Sequence, residues 1–251
     1  MRQKKFVPII LIVAFLLGAC QALPDLDDLE YGLNDTIARK IVWESLDRLE
    51  LVLDQYYDET LLDENKDIIN ENLIDEKKNT AEQEKFLKPY RGAFRALLAE
   101  EQLEPLMRKI IYEYYGSMQT DYLSNQHMDI RFELVDQEEE AFTASFIQLA
   151  DGEHFEHPRK FTVTYTKEHQ EWLLDDYTVE EIDNPKLDLT IEDIKEYYHY
   201  QHNSQAEMID STEEYYIFRI KEKDVKEPES YVVAIHRDTS LENPELAQQY
   251  E

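Results

Sequence analysis

Two pairs of histidines carry the most chemistry that spacing alone can suggest. His154-Phe155-Glu156-His157 and His199-Tyr200-Gln201-His202 each set two imidazoles three residues apart. On a helix that interval puts both rings on one face, where they can share a metal ion. Glu196, three residues ahead of His199, is placed to add a carboxylate. His199 and His202 form the better candidate, because the first pair falls in a loop and is followed by Pro158. Neither pair has a third ligand at a recognisable interval such as His-Glu-x-x-His. Both pairs read by default as solvated histidines, and no metal or other cofactor is assigned.

Asp63, Asn65 and Asp67 alternate as at the start of an EF-hand calcium loop. Ile68 then occupies the sixth position, where glycine makes the turn, and Ile74 the twelfth, where a bidentate glutamate is required. The stretch reads as a solvated acidic loop. Carboxylate pairs such as Asp175-Asp176, Glu138 to Glu140 and Glu100-Glu101 discriminate nothing in a chain with 56 acids, and read as solubilising faces. There is no Gly-x-Ser-x-Gly elbow, P-loop or Gly-x-Gly-x-x-Gly. The tyrosines are more informative. Tyr112, Tyr114, Tyr115 and Tyr122 cluster in one segment, and Tyr197, Tyr198 and Tyr200 in another. Tyrosine covers apolar area while keeping a polar tip, which suits interfaces. Tyr197, Tyr198 and Tyr200 are the candidate partner-binding group.

The N-terminus is of a different kind. Arg2, Lys4 and Lys5 precede an apolar run from Phe6 to Leu17, and Leu17-Gly18-Ala19-Cys20 closes it. A basic start, a short apolar stretch and small residues before a cleavage point define a secretory signal peptide. The run is shorter than the roughly 20 apolar residues of a bilayer-spanning helix. Leu17-Gly18-Ala19-Cys20 resembles the lipobox of bacterial lipoproteins. The resemblance implies cleavage after Ala19 and a lipid on the Cys20 thiol. Cys20 is the only cysteine, so lipidation leaves no thiol for disulfides, catalysis or metal binding.

Composition bounds the rest. The formal charge is −30, with 26 basic and 56 acidic residues. Loss of three basic residues with residues 1–19 takes the mature chain to −33. Such a charge argues against nucleic acid, whose phosphates need lysine and arginine clusters. It favours cations or a basic protein or peptide. An aromatic content of 12% separates the chain from disordered acidic segments, which are poor in aromatics.

The expected elements follow from periodicity. Residues 20–33 read as an acidic tether. Ile37, Ile41, Leu46, Leu49, Leu53 and Tyr56 recur at helical spacing, and Phe86 to Leu98 and Pro105 to Leu123 read as two more helices. From Asp129 the period becomes two, predicting about four antiparallel strands up to residue 183. Residues 184–251 read as a smaller α+β unit: a capped helix from Thr190, strands at Glu214 to Ile220 and Ser230 to His236, and a loose polar tail from Asp238. The fold class is α+β, with N-terminal helices packed on the meander in one domain, residues 34–183. Helices followed by a curved meander over Met128 to Val179, ending in Glu171-Trp172-Leu173-Leu174-Asp175-Asp176-Tyr177-Thr178-Val179, resemble NTF2-like extracytoplasmic modules. That resemblance implies a ligand- or partner-binding cavity.

The sequence therefore predicts a lipid-anchored lipoprotein on the outer face of a bacterial membrane, with a Gram-positive surface favoured over a periplasm. Its expected role is non-enzymatic binding of an envelope protein or peptide with a basic surface. A divalent-cation-binding lipoprotein and an envelope hydrolase with a scattered site are the alternatives.

Overall fold

Alternation of apolar and polar residues builds the first sheet. In the computed structural model, which describes residues 33–56, 69, 73–74, 80–116, 123–124, 128–150, 157–182, 187–223 and 230–250, four strands form an antiparallel meander: β1 (Ile130–Gln137), β2 (Ala141–Gln148), β3 (Arg159–Glu168) and β4 (Glu171–Glu181). Register partners share a face, so the rows Phe142–Tyr165–Leu174 and Ala144–Val163–Tyr177 line one side, and all six residues are buried. Phe146 stacks on Phe161 at 5.3 Å in the next row. The opposite side carries Thr143 and Thr164, whose hydroxyls meet at 3.2 Å, beside Thr162 and Asp176. One face is core and the other is wet.

Helices precede the sheet. Helix α1 (Asp35–Tyr56) buries Ala38, Val42, Leu46, Leu49 and Leu53. The buried stripe thus runs one residue later at its start than the expected Ile37 and Ile41, which lie half-buried beside the small Ala38. Helix α2 (Ala81–Phe94) begins five residues before the expected Phe86, because Thr80 and Gln83 form a reciprocal capping box. It stops at Phe94, since Leu97 to Ala99 turn away to bridge β4: Ala99 donates to Leu174, and Leu174 to Leu97, both at 2.9 Å. Helix α3 is Leu103–Gly116, and residues 117–122 of the expected longer helix lie outside the described residues. Arg91 and Arg108 weld α2 to α3 through Glu84 and Glu104. The hydrogen bond from Arg91 holds the Glu104 carboxyl below its ordinary range.

The C-terminal elements are helix α4 (Ile191–Tyr200) and a second antiparallel sheet of β5 (Ser204–Ser211), β6 (Tyr215–Glu222) and β7 (Ser230–His236). Strand β5 was not expected. On one side of this sheet Ala206, Phe218, Ile220, Val233 and Ile235 pack with Ile194 and Tyr198 of α4. The same cluster takes in Ile130 of the first sheet. The tail from Asp238, expected to be loose, instead folds over the other side. Asn243 caps the short helix α5 (Pro244–Ala247), and Leu246, Ala247 and Tyr250 cover Ile217 and Ala234. Residues Asp35–Glu251 thus form one compact α+β unit. The signal peptide, most of the tether and all of the calcium-like loop except Ile69, Leu73 and Ile74 lie outside the described residues. No helix among the described residues is long and apolar enough to cross a membrane.

The face assignment can be checked directly. Phe161→Ala should cost about 3–5 kcal/mol in urea unfolding by opening a cavity. Thr162→Ala, one residue on but on the wet face, should stay within about 0.5 kcal/mol. Equal costs would contradict the one-sided core.

Candidate functional site

Helix α4 is placed by its first turn. Thr190 Oγ1 accepts from the Asp193 amide at 3.1 Å, and the Asp193 carboxylate accepts from the Thr190 amide at 2.8 Å. The same carboxylate takes two donors from Arg131 of β1, Nε at 3.1 Å and Nη2 at 2.8 Å. Arg131 also donates to the carbonyls of Leu187 and Asp188. Its backbone has φ of 54°, the left-handed region that costs a side-chain-bearing residue about 1–2 kcal/mol. Burial alone would raise the Asp193 carboxyl, but the hydrogen bonds from Arg131 and Thr190 outweigh it and hold the group below its ordinary range.

With the start of α4 fixed, its far end meets α1. Arg39 Nη1 pairs with Glu196 Oε1, and Glu196 Oε2 accepts from the Arg131 amide at 3.3 Å. The Arg39 guanidinium lies 3.8 Å from the centre of the Tyr200 ring and 5.6 Å from that of Phe132. Such cation–π contacts contribute about 0.5–2 kcal/mol each. Around them opens a cleft of about 350 Å³ lined by Asp35, Thr36, Arg39, Lys40, Trp43, Phe132 and Tyr200. Five of these lie on one face of α1, Phe132 comes from β1 and Tyr200 from the last turn of α4. Phe132 is backed by Phe146 of the core, with stacked rings 6.4 Å apart. Tyr200 is 46% exposed, and Trp43 is half-buried. Both cations have carboxylate partners, Arg39 in Glu196 and Lys40 in Glu44 at 3.6 Å. The cleft is therefore an aromatic surface whose two cations are ion-paired. The buried Nε of Arg39 has no hydrogen-bond partner.

The residues singled out in the sequence separate in space. Tyr200 reaches the cleft. Tyr198 is 2% exposed, and its hydroxyl donates to Glu242 at 3.1 Å, so it belongs to the core and not to a docking surface. Burial, then the charge of Glu242, raises its pKa. Tyr197 rests edge-on against Tyr198 and His202. Glu196 is spent on Arg39 and Arg131. His199 has its Nδ1 2.6 Å from the Lys223 ammonium nitrogen, whereas His202 lies against Tyr197 and Tyr198. Partial loss of water against those rings lowers the His202 pKa. Among the described residues no group of three or more His, Cys, Asp or Glu is gathered as metal ligands. His154 lies outside the described residues, and His157 is exposed. Asp175, expected on a solvated face, is the extra residue of a bulge in β4. Burial, then Asp176, Glu168 and Glu101, raises its pKa.

Set against known proteins, the chain matches no family model, no curated protein and no solved structure. The cleft thus stands on its own geometry. Arg39, Trp43 and Phe132 carried no signal as a site in the sequence, because 157 residues separate Arg39 from Glu196.

Two measurements test the joint that sets this geometry. Arg131→Ala and Arg131→Gly both lose the pairing, but glycine accepts the left-handed backbone freely. Arg131→Gly should be the more stable by about 0.5–1 kcal/mol in urea unfolding, and equal stability would mean no strain at this residue. For Asp193 the folded pKa is depressed, so its stabilisation is present above the unfolded value near about 4 and is lost as pH falls through the folded value. The stability gap between wild type and Asp193→Asn should be full at about pH 6 and shrink below about pH 4. A gap that is constant across this range would count against the assigned pairing.

Proposed function

We propose that the chain is a lipid-anchored extracytoplasmic lipoprotein, on a Gram-positive surface in preference to a periplasm, that acts as a non-enzymatic binding module for an envelope protein or peptide. The lipobox residues Leu17 to Cys20 support the address. The observation that carries the binding role is the aromatic cleft of Trp43, Phe132 and Tyr200. Ligand sites of this kind are concave and mostly apolar, with a few placed polar groups. Aromatic residues held half-exposed at a rim supply contact area at little entropic cost. The likeness of Met128 to Val179 to NTF2-like modules, a class that binds ligands or partners in a cavity, agrees with the same reading. The charge of −30 favours a partner with a basic surface and disfavours nucleic acid.

The role is tested by cross-linking on intact cells with the tagged protein, a Cys20→Ser form and a Trp43→Ala/Tyr200→Ala form. One dominant envelope protein should be recovered with the wild type and lost with both variants. Recovery undiminished by the cleft substitutions would remove the cleft from the function. Recovery undiminished by Cys20→Ser would remove the anchor.

A further inference from the structure

The cleft and its surroundings differ in charge, and the difference constrains what can bind. Inside, the two cations are matched: Arg39 by Glu196, and Lys40 by Glu44. Outside, acids dominate. Asp35, exposed, stands on the cleft lip, and Glu192 lies one helical turn before Glu196 on α4. Glu192 is paired with Lys195 at 2.7 Å, so Asp35 is the acid at the lip with no base against it among these residues. Beyond this rim the whole chain carries −30. The net charge disfavours an acidic ligand, while a purely cationic one finds Arg39 and Lys40 at the centre.

We propose that the cleft takes a bipartite ligand: one aromatic or large aliphatic side chain of a partner peptide, flanked on both sides by lysine or arginine. This rests on the cleft being the binding site. The apolar anchor enters among Trp43, Phe132 and Tyr200, where it removes ring surface from water. The flanking bases stay at the rim, where Asp35 and the net negative charge of the chain attract them. Rim charges of this sort govern approach and salt dependence, and the buried anchor governs residence. Trp43 has neither a hydrogen bond nor a ring contact among the described residues, so its indole is available to report on the guest.

The chain has two tryptophans, so Trp172→Phe leaves Trp43 as the only reporter. The full chain carrying that change, held in zwitterionic nanodiscs, is titrated with four synthetic peptides. They are a lysine-flanked phenylalanine peptide, its alanine counterpart, and versions of the phenylalanine peptide flanked by serine or by glutamate. The expected result is a saturable change in Trp43 emission with the first. Its affinity should fall about tenfold or more on replacing the phenylalanine by alanine or the lysines by serine. It should also weaken as salt is raised. Adding Tyr200→Ala should weaken it further. Serine- or glutamate-flanked peptides that bind as well as the lysine-flanked one would overturn the bipartite proposal while leaving the cleft as the binding site. An alanine peptide that binds as well would overturn the anchor. Silence of Trp43 with all four peptides would overturn both the proposal and the cleft reading.

Discussion

The geometry of the cleft depends on one ion pair, Arg131 with Asp193. It joins the first strand of one sheet to the first turn of the helix that serves the other, across 62 residues of sequence. Both partners are over-determined. Asp193 closes a capping box with Thr190 while it accepts from Arg131. Arg131 also binds two carbonyls of the segment leading into α4. Its left-handed backbone is the local cost of aiming that side chain away from the sheet and toward the helix. Once α4 is held at its start, its length sets where Glu196 and Tyr200 arrive, and these two position Arg39. The chain of dependence runs from a strained backbone to a cap, from the cap to a helix, and from the helix to an aromatic rim.

What could be read from the sequence was local. The meander follows from strict alternation in Phe142, Ala144, Phe146 and in Phe161, Val163, Tyr165. The start of α4 follows from Thr190 and Asp193 three residues apart. Both signals act within a few residues, where the backbone leaves few options. Strand β5 was missed because Ser204 to Ser211 buries little apolar area, and its pairing with β6 supplies what its side chains do not. The tail was misjudged for a related reason. Among its apolar side chains Leu246, Ala247 and Tyr250 cover Ile217 and Ala234, too few to make a pattern. The cleft was not legible at all, since it is assembled from an N-terminal helix, the first strand and the end of α4. Tyr200 was found for its chemistry, whereas Arg39 looked like any other surface base.

The acid excess is not spread evenly over the fold. Several carboxylates at the contacts between elements meet arginine: Glu84 and Glu104 between α2 and α3, Asp193 with Arg131 of β1, Glu196 with Arg39 of α1. Arginine is the base suited to these places, because its planar fork satisfies two carboxylate oxygens at once. The surplus acids are left to the outside, where water screens them and net charge keeps copies apart.

A meander ordinarily ends in two open edges, each a template that another chain can extend into a larger sheet. Here both ends of the first sheet are occupied by the protein itself. Along β1 the Leu134 amide donates to the Asp35 carboxylate at 3.0 Å, and the Arg131 amide to Glu196. Along β4 the backbone of Leu97 to Ala99 takes the place a further strand would fill. The carboxylates that shape the cleft therefore also serve as stoppers against self-association. A substitution at Asp35 or Glu196 would expose a strand to its neighbours as well as alter a binding surface, and such a variant would betray itself by clumping before any loss of affinity was measured.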